Sequence, residues 1–419
     1  MTEENKSVKK FPNLRFPGFE DSWEERKLGE IGELTSSKRI YLSDYVDDGI
    51  PFYRGKEISE LKQKIQPKDI LYISSQLYND YKIRYGVPEI NDILITAVGT
   101  LGNILVIKDK EPFYFKDGNL IWFKNIIFDS NFVAYLLEIN KKGIELSAIG
   151  SSQKALTMVE LKKLSFQFPS IAEQNKIASF LLFVDERIQT QKKIISQLKS
   201  QMSNLKDSIL EQKLRLKNDN GNYFPSWKVF RLSDLGNTFN GLSGKTKEHF
   251  GSGQKYIQYK QIFDSAKINI GDCAFVDIEE NENQNIVKYG DVFFTISSET
   301  PEEIGMSSVL LEKVNNVYLN SFCFGFRGHS FDELIPQFSQ FLFRSNGFRN
   351  EIVKLAQGST RYNMSKIEFL KLKVKLPGKD EQIKIASFLS SIQEKIETEK
   401  QILEKLELQK KFLLGNLFV

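Results

Sequence analysis

A stretch of thirteen residues occurs twice in this chain, and the duplication constrains the fold more than any other feature. The copies occupy residues 169–181 and 377–389, displaced by 208 residues, and nine of the thirteen positions are identical. The beginning of the repeat is also duplicated, because Trp23, Leu28 and Gly32 recur 204 residues later. An internal repeat of this length predicts two equivalent structural units in one chain.

Each copy continues into an apolar pattern with alternating spacings of four and three residues, which predicts a long helix that packs on another helix. About 40 residues at 1.5 Å per residue give a length of about 60 Å. One position of the stripe is polar in both copies, Gln191 and Glu399, and such an interruption is typical of a residue that fixes register. The predicted apolar stripes are Ile177, Leu181, Val184, Ile188, Ile195, Leu198, Met202, Leu205 and Ile209, then Ile385, Leu389, Ile392, Ile396, Leu403, Leu406, Leu413 and Leu417.

The two helices are expected to pack on each other, because neither could bury its stripe alone. We predict an antiparallel pair, since that arrangement makes the repeats equivalent about a two-fold axis. Between the repeated ends, residues 35–148 and 237–356 diverge, and both are rich in short strand patterns broken by Gly, Asn and Asp turns. The predicted fold class is α+β: two mixed α/β domains separated by two long helices packed as an antiparallel coiled coil, with internal two-fold pseudo-symmetry.

The repeat also predicts where the domains begin and end. Residues 217–226, KNDNGNYFPS, form the clearest linker. The predicted organisation is a flexible tail at 1–16, a first domain at 17–168, a first helix at 169–216, a linker at 217–226, a second domain at 227–376 and a second helix at 377–419.

The composition favours a reduced, cytoplasmic protein. The formal charge is only +4, which is compatible with nucleic-acid binding without establishing it. Two cysteines, Cys273 and Cys323, occur without a signal peptide or a long apolar run, so they are expected to be core thiols and no membrane span is predicted.

Motifs for catalysis are missing from the sequence. Gly244-Lys245-Thr246 resembles the end of a phosphate-binding loop, but that loop needs a glycine at position 239, which is Phe239. The two histidines, His249 and His329, have no cysteine or carboxylate at metal-ligand spacing. We therefore expect a recognition and scaffolding protein without catalytic or metal-binding residues.

Several of these features together resemble one family. The chain has a Trp followed by Lys-Leu-Gly, then a Gly-Ser loop, then Pro with Glu-Gln-x-Lys-Ile-Ala-Ser-Phe-Leu leading into a heptad helix, and most of this series occurs twice. In this it is similar to the specificity subunits of type I restriction-modification systems. The resemblance implies two target recognition domains that each read one half of a split DNA site. It also implies that the helices separate these domains and bind two methyltransferase subunits, and that restriction or translocase subunits join the complex. S-adenosylmethionine, ATP and Mg²⁺ would then be bound by the partner subunits.

Candidate DNA contacts follow from the chemistry of base and phosphate recognition. Arg and Lys suit guanine and phosphate, Asn and Gln suit adenine, and hydroxyl groups suit either. The strongest candidates are the two Gly-Ser loops, which occupy equivalent places in both repeats. The full set is Lys38, Arg39, Arg54, Lys56, Ser75, Gln76, Ser151, Ser152, Gln153 and Lys154 in the first domain, and Lys245, Thr246, Lys247, Gln258, Lys260, Ser298, Ser359, Thr360, Arg361 and Tyr362 in the second.

The identity of the repeated motif suggests a shared role. Any apolar heptad would pack, so a common docking surface explains the retained residues better than packing alone, although recent duplication is a competing account. We predict that the motif contributes to partner docking or to the join between helix and domain. The residues concerned are Glu173, Gln174, Lys176, Phe180, Glu381, Gln382, Lys384 and Phe388.

Two other classes of function stay open at this stage. A coiled-coil adaptor, or a stand-alone DNA-binding protein without restriction-modification partners, would explain the helices but gives no reason for two diverged domains between repeated ends. A self-sufficient DNA-modifying enzyme would have to bind S-adenosylmethionine itself. The sequence gives neither the half-sites nor their spacing.

Overall fold

The computed structural model describes residues 11–150 and 154–419. The chain forms two compact units, Met1–Lys192 with Ile402–Val419, and Lys193–Gln401. Each unit therefore contains one mixed domain together with a part of each long helix.

The first unit contains two four-stranded sheets, with strand orders β2-β9-β6-β7 and β3-β5-β4-β8, and a two-stranded pair β1-β10. The central strand β6 is buried at all four positions, and its first three residues are apolar. The strands are β1 (Glu24–Lys27), β2 (Glu33–Thr35), β3 (Tyr45–Val46), β4 (Ile50–Tyr53), β5 (Leu71–Ile73), β6 (Ile93–Thr96), β7 (Ile104–Val106), β8 (Tyr114–Phe115), β9 (Leu120–Lys124) and β10 (Ser165–Phe168).

Short helices of the first unit begin at side chains that cap them. Ser74, Asp129 and Thr157 each accept a hydrogen bond from a main-chain N–H in the first turn of the helix that follows. The helices are α1 (Leu28–Ile31), α2 (Gly55–Lys62), α3 (Ser75–Tyr85), α4 (Ser130–Ile139), α5 (Lys141–Leu146), α6 (Met158–Lys163) and the long α7 (Ile171–Leu210), with a 3-10 turn at Leu42–Asp44.

The second unit repeats this plan with strands of different length. Its sheets have the orders β12-β19-β15-β17, β14-β13-β18, β16-β20 and β11-β21. The strands are β11 (Lys228–Arg231), β12 (Gly236–Asn240), β13 (Phe250–Ile257), β14 (Ala274–Val276), β15 (Val292–Thr295), β16 (Ser297–Ser298), β17 (Ser307–Val309), β18 (Val317–Leu319), β19 (Cys323–Gly328), β20 (Tyr362–Asn363) and β21 (Lys373–Leu376).

The helices of the second unit follow the order of the first, except that no helix lies between β14 and β15 where the first unit has α3 between β5 and β6. They are α8 (Leu232–Leu235), α9 (Tyr259–Asp264), α10 (Pro336–Leu342), α11 (Asn346–Val353), α12 (Lys366–Lys371) and the long α13 (Lys379–Asn416), with 3-10 turns at Lys247–His249, Ile270–Asp272 and Pro301–Glu303.

Equivalent main-chain hydrogen bonds organise both units. The N–H of Leu28 bonds to the carbonyl of Leu164 at 3.0 Å, and the N–H of Leu232 bonds to the carbonyl of Leu372 at 2.9 Å. Leu156 N–H bonds to the carbonyl of Ala97 at 2.9 Å, as Met364 N–H does to Ile296 at 3.0 Å. The predicted internal repeat is therefore a repeat of structure as well as of sequence.

The long helices run antiparallel within the first unit. Asp185 on α7 pairs with Lys410 on α13 at 2.7 Å, and Lys192 pairs with Glu407 at 2.8 Å, so the partner number falls as the α7 number rises. In the second unit Ile209 near the end of α7 shares a buried cluster with Leu389 near the start of α13. These contacts confirm the predicted orientation.

Members of the two predicted apolar stripes share buried clusters in each unit, such as Val184 with Leu406 in the first and Met202 with Leu389 in the second. Each stripe residue is buried or half-buried, and Gln191 and Glu399 lie within the same stripes as predicted. The burial of a heptad stripe on both helices is what a coiled coil requires.

The described part of the predicted flexible tail, residues 11–16, is packed against the long helices. Leu14 donates its N–H to the carbonyl of Asn416 at 2.8 Å, and the ring of Phe16 meets that of Phe180 edge-on at 5.6 Å between centroids. Arg15 binds both carboxylate oxygens of Glu173 at 2.8 Å. One aromatic and one cationic side chain thus give residues 11–16 a docking place, while the boundary of the predicted tail stays a prediction.

Candidate nucleic-acid interface

Three segments of the second unit meet at one surface. Tyr259, the first residue of α9, donates its hydroxyl to the carbonyl of Ser297 at 2.7 Å. Strand β16 pairs with β20, which places Ser298 opposite Tyr362. A bridge between Gln357 and Asn363 closes the hairpin that contains the predicted Gly-Ser loop. We define residues 258–260, 297–300 and 357–363 as the second reading surface.

A glycine shapes this hairpin. Gly358 has φ +130°, and a Cβ at this position would lie 2.2 Å from the carbonyl oxygen of Arg361. Only glycine fits such a turn without strain. The glycine in the sequence pattern thus has a local structural reason, which is to let the chain present residues 359–361 at the hairpin tip.

The first unit has the same arrangement. Bridges join Ile149 to Ala155 and Val98 to Ala155, as in the second unit. The loop after Val98 borders an open cleft of about 740 Å³, whose walls include Arg54, Lys56 and Thr100. We define residues 54–56, 98–101, 149–150 and 154–155 as the first reading surface. Ser151, Ser152 and Gln153, which were predicted to contact DNA, lie outside the described residues.

Most of the predicted DNA contacts are accessible to a ligand. Arg54 and Tyr362 are half-buried, and the other accessible residues are exposed. The exposed residues are Lys38, Arg39, Lys56, Ser75, Gln76, Lys154, Thr246, Lys247, Gln258, Lys260, Ser359, Thr360 and Arg361.

Two predicted contacts are contradicted by their burial. The side chain of Lys245 is only 4% exposed and forms an ion pair with Glu282. This ion pair lowers the pKa of Glu282 to about 2, chiefly through its hydrogen bond from Lys245. Ser298 is 5% exposed, and its hydroxyl donates to the carbonyl of Thr300 at 2.6 Å. Both side chains are therefore structural parts of their loops.

Arg54 combines a partly exposed side chain with a fixed position. Its guanidinium donates to both carboxylate oxygens of the buried Glu57, at 2.6 and 3.2 Å. Burial alone would raise the pKa of Glu57, but hydrogen bonds from the side chain and main chain of Arg54 outweigh it and lower that pKa. The ion pair orients the Arg54 side chain at the edge of the first reading surface.

The remaining predicted residues lie in other places of their units. Lys38 sits with its ammonium 5.2 Å from the ring centroid of Tyr85 at the end of α3, whereas Ser75 and Gln76 form the beginning of that helix. The segment with Thr246 and Lys247 packs near residues 282–284 through bonds from Ser243 and Lys245. The structure therefore brings together only some of the predicted segments of each domain.

The predicted set omitted basic residues beside the first reading surface. A second open cleft of about 660 Å³ is lined by Thr100, Lys141, Lys142 and Lys154. Lys141 donates to the side-chain oxygen of Asn103 at 2.9 Å. The adjacent Lys141-Lys142 pair, which follows the end of α4 after Asn140, was the signal that could have identified them.

The repeated Glu-Gln pair lies in the join between helix and domain. Gln174 donates to the carbonyl of Pro169 at 2.9 Å and accepts from the N–H of Asp129 at 3.2 Å. Gln382 donates to the carbonyl of Pro377 at 3.0 Å and accepts from the N–H of Ile335 at 3.0 Å. Both glutamines are completely buried.

The paired glutamates have different partners in the two units. Glu173 binds Arg15, whereas Glu381 accepts from the indole N–H of Trp227 at 3.1 Å. With Glu173 engaged by Arg15, the buried indole nitrogen of Trp23 has no hydrogen-bond partner among the described residues. The buried side chains of Glu173, Gln174, Glu381 and Gln382 leave no surface for a partner, so for them the structure corrects the docking prediction in favour of the join.

The other four motif residues remain accessible. Lys176 and Phe388 are exposed, and Phe180 and Lys384 are half-buried. Lys176 lies 5.7 Å from the ring centroid of Phe16, and Lys384 pairs with Asp219 of the predicted linker at 2.6 Å. A docking role stays a prediction for these four residues.

The described residues contain no group of three or more His, Cys, Asp or Glu side chains placed to hold a metal ion. Cys273 and Cys323 are buried free thiols, and burial raises the pKa of both, that of Cys273 to about 11. Within the described parts of the chain, no helix combines the length and apolarity that crossing a bilayer requires.

Comparison with known proteins agrees with this architecture. The family model for the type I restriction modification DNA specificity domain matches residues 20–200 and again residues 225–408. The chain is 22% identical over 437 aligned residues to the type I restriction enzyme MjaVIII specificity subunit of Methanocaldococcus jannaschii, covering 99% of this chain and 95% of that protein. A protein of Haemophilus influenzae named as a type I restriction enzyme specificity subunit is 34% identical over 158 residues, 37% of this chain and 38% of its own.

A solved structure shares the fold. The crystal structure of the type I restriction-modification system S subunit from M. genitalium superposes with a TM-score of 0.58, at 16% identity, over 98% of this chain and 99% of that one. The two-domain architecture and the two family matches define a DNA-recognition subunit. The chain belongs to the family of type I restriction-modification specificity subunits. Such subunits recognise DNA, are generally non-catalytic, and work with methyltransferase and restriction subunits.

Proposed function

We propose that each recognition domain of this chain reads one half of a bipartite, asymmetric double-stranded DNA site. The observation that carries the proposal is the pair of reading surfaces, which have the same main-chain arrangement and different side chains. At equivalent positions of the two hairpins the first unit has Lys154 and the second has Tyr362, and the preceding three residues are Ser-Ser-Gln in the first sequence and Ser-Thr-Arg in the second. Two surfaces with the same main-chain arrangement but different side chains suit a protein that reads two different half-sites.

Specific contacts on each surface have distinct roles in this proposal. Arg361 and Gln258 have the donor and acceptor groups that distinguish guanine and adenine in the major groove. Lys56, Lys154 and Lys260 suit phosphates, which fix the register of the protein on the duplex without reading sequence. Arg54 is held by Glu57 and would present a preoriented guanidinium.

The long helices set the separation of the half-sites and dock two methyltransferase subunits in this proposal. The supporting observation is that large apolar side chains stay exposed on both helices. Phe183 on α7 is 56% exposed, and Phe412 on α13 is 59% exposed. Phe388 of the repeated motif is also exposed. Aromatic residues of this kind are enriched in protein interfaces.

Catalysis and its cofactors belong to the partner subunits in this proposal. The methyltransferase subunits would bind S-adenosylmethionine, and the restriction or translocase subunits would bind ATP and Mg²⁺. The complex would act in the cytoplasm, where the DNA that it reads is located. In this chain the exposed loops contribute binding groups only.

The test is to co-express the chain with its cognate methyltransferase subunit and to map adenine methylation across the host genome by long-read sequencing. The expected result is one split motif with two different halves. Methylation of a continuous motif would contradict the bipartite reading. A stable complex that neither methylates nor binds DNA would instead support the coiled-coil adaptor, and S-adenosylmethionine binding by the isolated chain would support a self-sufficient enzyme.

A further inference from the structure

Two arginines lie behind the second reading surface, and their hydrogen bonds go to the main chain of the segments that form it. Arg344 follows α10, and Arg349 lies on α11. Both are half-buried. Neither belongs to the predicted contact set.

Arg344 binds the end of α9. Its guanidinium donates to the carbonyls of Ile262, Phe263 and Ser265 at 2.7, 2.8 and 2.9 Å, and to the carbonyl of Ser307 on β17 at 2.6 Å. The last carbonyls of a helix have no partner within the helix, and a cation at that end is electrostatically favourable. Arg344 therefore fixes the helix whose opposite end carries Gln258 and Lys260.

Arg349 binds the loop that follows β16. It donates to the carbonyl of Gly305 at 2.7 Å and to that of Glu302 at 2.7 Å. The loop begins directly after Ser298, which pairs with the hairpin at Tyr362. Arg349 thus holds the far end of the segment whose near end lies on the second reading surface.

The chemistry of the contacts separates these arginines from ordinary surface cations. Burial lowers the pKa of both, that of Arg344 to about 10, so each remains charged at neutral pH at a cost in hydration. Guanidinium groups offer five N–H donors in a rigid plane, which fixes the carbonyls that they bind. Because the partners are main-chain atoms, neither arginine engages a side chain of α9 or of residues 299–305, and the exposed side chains there, those of Lys260, Glu299 and Thr300 among them, stay accessible to a ligand.

The first unit has ties at the corresponding places, made from different atoms. Lys62 at the end of α2 pairs with Glu138 of α4 at 2.9 Å, and Lys141 holds Asn103 at 2.9 Å. Gln174 accepts from the N–H of Asp129, and Glu138 lies nine residues after Asp129. Gln382 accepts from the N–H of Ile335, and Arg344 lies nine residues after Ile335. Lys141 and Arg349 each lie eight residues before their hairpin. Both units therefore have a stabilising contact at each of these two places, but the atoms that form the contact differ between the units.

We propose that Arg344 and Arg349 are positioning residues of the second recognition domain, which hold α9 and residues 299–305 in the arrangement that reads one half-site. This inference rests on the proposed function. Its consequence is local: loss of either arginine should relax the recognition of one half of the motif and leave the other half intact.

The test uses the complex with the methyltransferase and the variants Arg344→Met, Arg349→Met, Arg344→Lys and Arg349→Lys. Methylation is measured on a library of sites that carry single substitutions in either half. We expect discrimination in one half to fall by roughly 5- to 160-fold, since correct base contacts contribute about 1–3 kcal/mol each. The lysine variants should keep the charge and still lose discrimination, because one ammonium cannot replace a planar fork.

Two controls separate positioning from stability. Val374→Ala, a buried core change in the same unit, should lower the amount of active complex without altering the motif. The pair Lys62→Met and Lys141→Met should relax the opposite half. If folded arginine variants methylate an unchanged split motif, or one relaxed equally in both halves, the positioning role is overturned and the proposed function still stands. If the wild-type complex methylates no split motif, the proposed function fails and the inference fails with it.

Discussion

At the scale of single residues, the repeated glutamine explains why the two copies of the motif are so alike. Gln174 and Gln382 each satisfy a carbonyl and an N–H at the point where a long helix leaves its domain. An amide with both a donor and an acceptor is required there, so a generic apolar heptad could not replace it. The identity at this position therefore has a structural reason that does not need a partner.

Replacement of either glutamine by alanine should destabilise its unit. Gln174→Ala leaves a buried carbonyl and a buried N–H without partners, and the expected cost is about 2 kcal/mol in the free energy of unfolding. Urea denaturation followed by circular dichroism measures the change. The control is Asn175→Ala, which alters an exposed neighbour on the same helix; an equal loss for both variants would contradict the assignment.

Glu381 should make stability depend on pH in a direction opposite to that of a salt-bridged carboxylate. Burial raises the pKa of Glu381, and the hydrogen bond from Trp227 opposes this only in part. The folded state therefore favours the protonated acid. This contribution to stability is complete below the pKa of an unfolded glutamate, about 4.3, and is lost as the pH rises through the folded value.

Glu381→Gln should remove that dependence while keeping an acceptor for the indole N–H. We expect the Tm difference between variant and wild type to shift in favour of the variant as the pH rises from 4 to 7. Differential scanning calorimetry across this range provides the measurement. A constant difference would show that Glu381 is not the titrating group.

At the scale of secondary-structure elements, the sequence predicted best the helices, because their apolar spacing depends on residues that are close together along the chain. The long helices and their antiparallel contact followed from the spacing of Leu181, Ile188 and their equivalents. The burial of Lys245 could not be predicted, because its partner Glu282 lies on a distant loop. Ser298 is buried by a strand pair with Tyr362, which only the tertiary fold defines.

The accessible part of the repeated motif gives a test of docking. Simultaneous substitution of Phe180 and Phe388 by alanine should prevent or strongly weaken assembly with the methyltransferase, because both copies of the proposed docking surface lose an aromatic side chain. Size-exclusion chromatography of the co-expressed proteins measures assembly. The control is Ile83→Ala, at an apolar residue of α3 that is 86% exposed. Normal assembly by a well-folded double variant would exclude the docking role.

At the scale of the whole molecule, two units with one framework and two different surfaces predict modular exchange of recognition. Replacing residues 237–364 with the matching segment of another specificity subunit should change one half of the methylated motif and leave the other half unchanged. The segment must extend to residue 364 because β16 and the hairpin 357–363 pair with each other. It also carries Arg344 and Arg349 together with the segments that they hold.

A shorter exchange of residues 237–356 serves as the matched control. It separates the new β16 from its own hairpin and leaves a reading surface assembled from two proteins. We expect the shorter chimaera to methylate weakly or with a degenerate second half, whereas the longer one methylates a new and well-defined motif. Genome-wide mapping of adenine methylation distinguishes these outcomes. A change in both halves by either chimaera would contradict the independence of the two reading surfaces.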